Sequence, residues 1–209
     1  MQTIYMHGLG QNASSWKDVI TSRKEEAQAS CPDLAELIQG GGTDYSNLYS
    51  AFSEYCGKFQ EPFCLCGLSL GAVLALHYTI DHPLRVKKLV LIGAQYKMPR
   101  LLLKIQSMIF RFMKEASFQQ MGFGKEEFIR LSDSMSTLDF SGGLKKIPCD
   151  TLVLCGERDR ANKKAARELA VHLAHAKLQI VEGAGHEVNT DAPSKLAAIL
   201  DHFYHNTDS

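Results

Sequence analysis

Five short apolar runs, each closely followed by a glycine, set the strongest limit on how this chain can fold. They are Thr3 to Met6, Pro62 to Cys66, Val86 to Ile92, Thr151 to Cys155 and Lys177 to Val181. Runs this short and nearly continuous fit strands buried on both faces, as in a parallel sheet covered by its own crossover helices. A sixth run, Ala27 to Cys31, has the length of a strand but little of the pattern. Helical spacing fills the intervals. Leu48, Phe52, Tyr55 and Phe59 recur at three and four residues across Tyr45 to Phe59, and the apolar stretch Leu70 to His82 stops before Pro83. Asn162 to Ala174 opens on a residue suited to capping and places Ala165, Leu169, Ala170 and Leu173 on one face. Pro193 to Tyr204 repeats the pattern with Leu196, Ile199, Leu200 and Phe203. Strand and helix in alternation predict a doubly wound α/β fold, its sheet mostly parallel and its helices on both faces.

One stretch breaks the alternation. Residues 95–140 hold no strand signal but many large apolar side chains, among them Met98, Leu101, Met108, Phe110, Phe118 and Phe128. They read as two or three amphipathic helices inserted into the core, which then comprises residues 1–94 and 141–209. The 209 residues suit one domain with a full core.

Composition narrows the function classes. Lys plus Arg and Asp plus Glu each number 23, so the formal net charge is zero and a nucleic-acid partner is not expected. The six cysteines (Cys31, Cys56, Cys64, Cys66, Cys149, Cys155) form no C-x-x-C pair, and three lie in or end apolar runs. That placement reads as small buried hydrophobes in a reducing compartment, with no metal site. Met1 to Met6 lacks a basic region followed by a long apolar stretch. Leu101 to Met113 is too short and too charged, at Lys104 and Arg111, to insert stably in a membrane. The expectation is a cytoplasmic protein.

The chemistry concentrates in Gly67-Leu68-Ser69-Leu70-Gly71. A strand leads into this G-x-S-x-G and a helix leads out, the context in which a sharp turn exposes a serine hydroxyl. Gly67 and Gly71 let strand and helix approach around it, and the Leu70 N–H at the helix start can face an oxyanion. Serine needs a base. His186, in Gly183-Ala184-Gly185-His186-Glu187, lies on a loop after a predicted strand, where a side chain can reach the rim of the sheet. His77, His82, His172, His175, His202 and His205 fall on or near helices and read as structural or solvated. Asp159 follows the strand Thr151 to Cys155 and would orient the imidazole, with Glu157 ranked second. The order Ser69, Asp159, His186 is the one expected of α/β-hydrolases. His7-Gly8-Leu9-Gly10 after the first strand can supply a second oxyanion donor, the Leu9 N–H, with His7 shaping the loop.

On these motifs the chain resembles the α/β-hydrolase superfamily, in its small bacterial esterase-like branch. The likeness rests on MHGLGQNASSW at 6–16, CGLSLGAVLAL at 66–76, VKKLVLIGA at 86–94, LVLCGERD at 152–159 and GAGHEVNTDAP at 183–193. It implies Ser69, Asp159 and His186 as a triad, Leu9 and Leu70 amides as an oxyanion hole, and residues 95–140 as a helical lid. The chain begins at the strand the family counts third, so the first two strands have no counterpart. No cofactor is implied. The expected activity is hydrolysis of carboxylic esters of small or medium apolar acyl groups through an acyl-enzyme. The same machinery could serve a thioesterase, an acyltransferase, a C–C hydrolase or a slow-turnover ligand receptor, and the lid's apolar side chains could simply pack on the core.

Overall fold

The computed structural model describes residues 1–38, 42–98 and 124–205. Among the described residues six strands form one sheet: β1 (Thr3–Met6), β2 (Ala29–Ser30), β3 (Phe63–Leu68), β4 (Val86–Ile92), β5 (Asp150–Gly156) and β6 (Ala176–Val181). Their spatial order is β2-β1-β3-β4-β5-β6, and every neighbouring pair is parallel. The five apolar runs are thus strands, and the faint sixth run contributes a two-residue edge strand.

Alternation along each strand divides the core in two. Ile4, Met6, Phe63, Leu65, Leu89, Leu91, Val153 and Cys155 join one buried cluster, while Tyr5, Cys64, Cys66, Val90, Ile92, Leu152 and Leu154 join the other. Helices cover the first face: α3 (Tyr45–Gly57), α4 (Leu70–Asp81) and α6 (Lys163–His172), with α2 (Leu34–Leu37) beside them. Helices α1 (Lys17–Arg23), α7 (Val188–Asp191) and α8 (Pro193–His205) pack on the second. Burying a side chain such as Phe52, Leu65 or Trp16 stabilises the fold by roughly 1.5–3 kcal/mol each. The cysteines sit where small hydrophobes belong: five are buried, Cys31 is half-buried, and all six are free thiols.

The expectation of burial on both faces fails at β6. Leu178 is half-buried and Ile180 is 40% exposed. As an edge strand, β6 has a neighbour on one side only, and the covering helices do not enclose it. Of the segment 95–140, helix α5 (Lys125–Ser134) is described, followed by a 3₁₀ turn at Met135–Thr137. The helices expected over 99–123 lie outside the described residues. The neck of the segment is tied by a short antiparallel contact, Lys97 with Asp139, flanked by Met98 N–H to Leu138 O (3.0 Å) and Phe140 N–H to Tyr96 O (2.8 Å).

Candidate active site

Ser69 stands between β3 and α4 with φ 53° and ψ −113°, a backbone conformation that a side chain rarely adopts. Strain of this kind costs about 1–3 kcal/mol and persists only where the surroundings enforce it. Here they do. The Ser69 N–H donates to Ile92 O at 2.9 Å, and its carbonyl accepts from Val73 N–H at 3.0 Å. A Cβ on Gly67 would stand 2.3 Å from the Gly71 carbonyl oxygen, and one on Gly71 would stand 2.3 Å from that of Met6. The paired glycines therefore let β1, β3 and α4 close to backbone contact beneath the serine.

Asp159 and His186 come from the loops after β5 and β6, which zip together along their backbones. Glu157 N–H donates to Val181 O and Arg158 N–H to Ala184 O, both at 2.9 Å. His186 Nδ1 lies 2.7 Å from Asp159 Oδ2. The carboxylate is 4% exposed and the imidazole 41%. An ionised carboxylate only accepts, so Nδ1 carries the proton and Nε2 is left as the acceptor. Burial works against the charge on Asp159, but hydrogen bonds from His186 and Asn162 outweigh it and hold the carboxyl below its ordinary range.

Gly93 links the two halves. It follows Ile92, whose carbonyl holds Ser69, and its φ of +58° turns the chain so that the imidazole can rest on its backbone. A Cβ there would meet His186 Cε1 at 2.9 Å and stand 3.5 Å from Asp159 Oδ2. All three candidate residues thus occupy the carboxyl-end rim of the sheet, where sites of open α/β folds form. Among the described residues no hydrogen bond joins Ser69 to His186; such contacts commonly tighten when substrate binds.

The remaining candidates fall into place around them. Gly8 lies close enough to the serine that a Cβ on it would touch Ser69 Cβ at 3.4 Å. Leu70 opens α4, so its N–H has no partner one turn back within the helix. The Leu9 N–H has no hydrogen bond among the described residues. His7 is buried; its Nε2 accepts the Leu34 N–H at 3.0 Å and its Nδ1 donates to Gly8 O at 2.9 Å. Burial lowers its pKa, against smaller opposing effects of the Gly8 carbonyl and Asp33. Glu157, the second-ranked carboxylate, accepts the Gly183 N–H at 2.9 Å and leaves Asp159 as the partner of His186. His77 stacks on Tyr49, and His172 and His205 bond carbonyls one turn back in their own helices.

Two neighbours have no counterpart among the sequence candidates. Asn162, expected to cap α6 with its side chain, makes no capping bond. Its Nδ2 instead donates to both oxygens of Asp159, at 2.9 and 2.8 Å. Gln95 Nε2 donates to Asn162 Oδ1 at 2.7 Å. A polar residue three positions beyond a candidate carboxylate was a usable signal; Gln95 offered none. A cavity of about 370 Å³ lies at the other end of β5 and β6, lined in part by Thr151, Leu152, Lys177, Ile199 and Phe203, and none of the candidate residues borders it.

Residues 4–199 match the Alpha/beta hydrolase family. The chain belongs to that family. It is similar to monoacylglycerol lipase abhd6-B of Xenopus laevis, 21% identical over 99% of this chain and 76% of that protein. Among solved structures it resembles the enol-lactonase from Burkholderia xenovorans LB400 (TM-score 0.84, 15% identity, 98% of this chain and 92% of that one). It also resembles a thermophilic esterase from Thermogutta terrifontis (TM-score 0.78, 17% identity, 98% and 89%). At such identities the structural likeness establishes a shared fold for this hydrolase.

Proposed function

We propose that this α/β hydrolase is a serine esterase in which Ser69 is the nucleophile, His186 its base and Asp159 the group that orients the base. The observation that carries the reading is the 2.7 Å contact of His186 Nδ1 with Asp159, set against the same stretch of β4 backbone that holds the strained Ser69. In the proposed cycle Ser69 Oγ attacks an ester carbonyl while His186 Nε2 takes its proton. The resulting oxyanion rests on the Leu9 and Leu70 N–H groups. Protonated His186 then gives its proton to the leaving alcohol, and water hydrolyses the acyl-enzyme by the same route.

Residues 95–140 form a lid over a core of 1–94 and 141–209 in this reading, supported by the closed neck at Lys97 and Asp139. The apolar side chains of that segment favour a small or medium apolar acyl group. The relative named a monoacylglycerol lipase and the neighbour described as an esterase favour esters among the bonds that such a triad can cleave. Among the described residues no helix is long and apolar enough to cross a membrane.

A fluorophosphonate probe and a panel of p-nitrophenyl esters of increasing chain length test the assignment. The wild-type protein should be labelled and should turn over at least one ester. Ser69→Ala should abolish labelling and lower kcat by about three orders of magnitude or more. Retention of most activity by that variant would remove Ser69 as nucleophile.

A further inference from the structure

Asn162 occupies the position of a helix cap, yet its side chain turns away from the helix it opens. Asn–carboxylate contacts of this kind matter because the amide has two different ends. Its Nδ2 faces Asp159 Oδ1 and Oδ2 at 2.9 and 2.8 Å, and its backbone N–H adds a bond to Oδ1 at 3.3 Å. Its Oδ1 receives Gln95 Nε2 at 2.7 Å. Reversing the amide would put an oxygen against two carboxylate oxygens, so the carboxylate fixes its orientation and Gln95 supplies the matching donor. Nδ2 also lies 3.2 Å from His186 Nδ1. Both are donors, and their closeness follows from sharing Asp159 Oδ2.

Gln95 is the first residue of the inserted segment and directly precedes its neck. Tyr96 accepts the Phe140 N–H and donates its hydroxyl to Glu168 on α6 at 2.9 Å; Lys97 pairs with Asp139 at 2.9 Å. The neck thus meets Gln95 through the chain itself, and hydrogen bonds run from Gln95 through Asn162 to the carboxylate. Nearby charged side chains are engaged elsewhere. Glu157 accepts from Gly183 N–H, Arg158 donates to Gly183 O, Asp191 accepts from Gly185 N–H at 2.6 Å, and Glu187 accepts from the Thr190 hydroxyl at 3.4 Å.

We propose that Asn162 is a positioning residue for the acid–base pair, held in its working orientation by Gln95 at the root of the inserted segment. The inference rests on the reading of Asp159 and His186 as orienting acid and base. Donation from Asn162 spreads the carboxylate charge and fixes the plane in which it meets the imidazole. Without it, the carboxylate is more basic and less well aimed, and it draws the proton on His186 more strongly.

The test compares initial rates and pH–rate profiles of Asn162→Ala, Asn162→Asp, Gln95→Leu and Gln95→Glu with wild type, on an ester the wild-type protein turns over. Asn162→Ala should lower kcat about ten-fold, the size of one or two lost hydrogen bonds, with KM little changed and the acid limb of the profile moved to higher pH. Asn162→Asp should do the same more strongly, by setting a second carboxylate against the first. The discriminating pair is at position 95. Gln95→Glu is nearly isosteric, but its carboxylate demands a donor and turns the Asn162 amide over, so it should behave like Asn162→Asp. Gln95→Leu only removes a bond and should cost less than about three-fold. If Gln95→Leu is as damaging as Gln95→Glu, or Asn162→Ala lowers kcat without moving the acid limb, the positioning role is wrong. Thermal melting of each variant separates a folding defect, and the half-buried Gln95 pair decides the matter should the Asn162 variants not fold. Failure of the triad reading shows itself separately, as ester turnover that survives Ser69→Ala.

Discussion

The proposed nucleophile and the proposed acid–base pair are positioned by different means. Ser69 is held by backbone: paired glycines at van der Waals limits, a strained φ, and main-chain bonds to Ile92 and Val73. Asp159 and His186 are held by side chains on two loops, with Asn162 and Gln95 behind them and the imidazole partly open to solvent. Steric closure leaves a serine no alternative but tolerates no added atom. A hydrogen-bonded arm can be retuned or re-aimed without disturbing the sheet. Damage to the first half should therefore appear as lost structure, and damage to the second as lost rate in a folded protein.

The largest expected effect lies in the arm. Asp159→Asn should lower kcat by about 10³–10⁴, because an amide can hold the imidazole in the wrong tautomer, while the melting temperature changes little. A comparable loss of melting temperature would place Asp159 among the structural residues and erase the contrast. Next comes the turn. Gly71→Ala forces a methyl into the Met6 carbonyl, a clash of backbone on backbone that should destabilise by about 3 kcal/mol or more and be visible in a denaturant titration. If Gly71→Ala folds with wild-type stability, closure beneath Ser69 is looser than described.

The smallest effect is a pH dependence under the turn. His7 is buried and its pKa is lowered, so the folded state holds its neutral form. Stability tied to that preference is full above the ordinary imidazole range, near 6.5, and declines as pH falls below it, because the unfolded chain takes up the proton first. Thermal melts from pH 7.5 to 5.5 should show a loss that is smaller in His7→Gln, whose amide can accept the Leu34 N–H without titrating. Equal slopes for the two proteins would mean that His7 contributes nothing to the dependence.

Much of this could be read from residue order because the sheet is parallel. Strands buried on both faces must be largely apolar, so Leu89 to Ile92 within β4 and Thr151 to Cys155 declare themselves, and loops at strand ends carry Ser69, Asp159 and His186 to one rim. Legibility drops where burial is partial. Ala29–Ser30 is a two-residue edge strand with no room for a pattern, and Lys177 to Val181 resembled a central strand although Ile180 faces water. Short helices such as Val188–Asp191 bury too few residues to show a period. Asn162 holds the N-cap position expected of it, but its side-chain partner was not legible, for a different reason. Its residue type suits two hydrogen-bonding partners, and only three-dimensional proximity to Asp159 decides between them. Gln95 is polar, half-buried and without a motif, so its tie to Asn162 is visible only in space.

The strand order has a further consequence. The first strand, β1, lies one place in from the edge strand β2, and the sheet then extends the other way through β3 and β4 to β6. The four strands up to Ile92 are mutual neighbours and already contain the serine turn with its glycines and its Ile92 anchor. The two residues proposed to activate that serine follow β5, which pairs with β4, and β6, which pairs with β5. A polypeptide cut before Asp150 therefore keeps the serine turn but lacks both the imidazole and the carboxylate proposed to activate it.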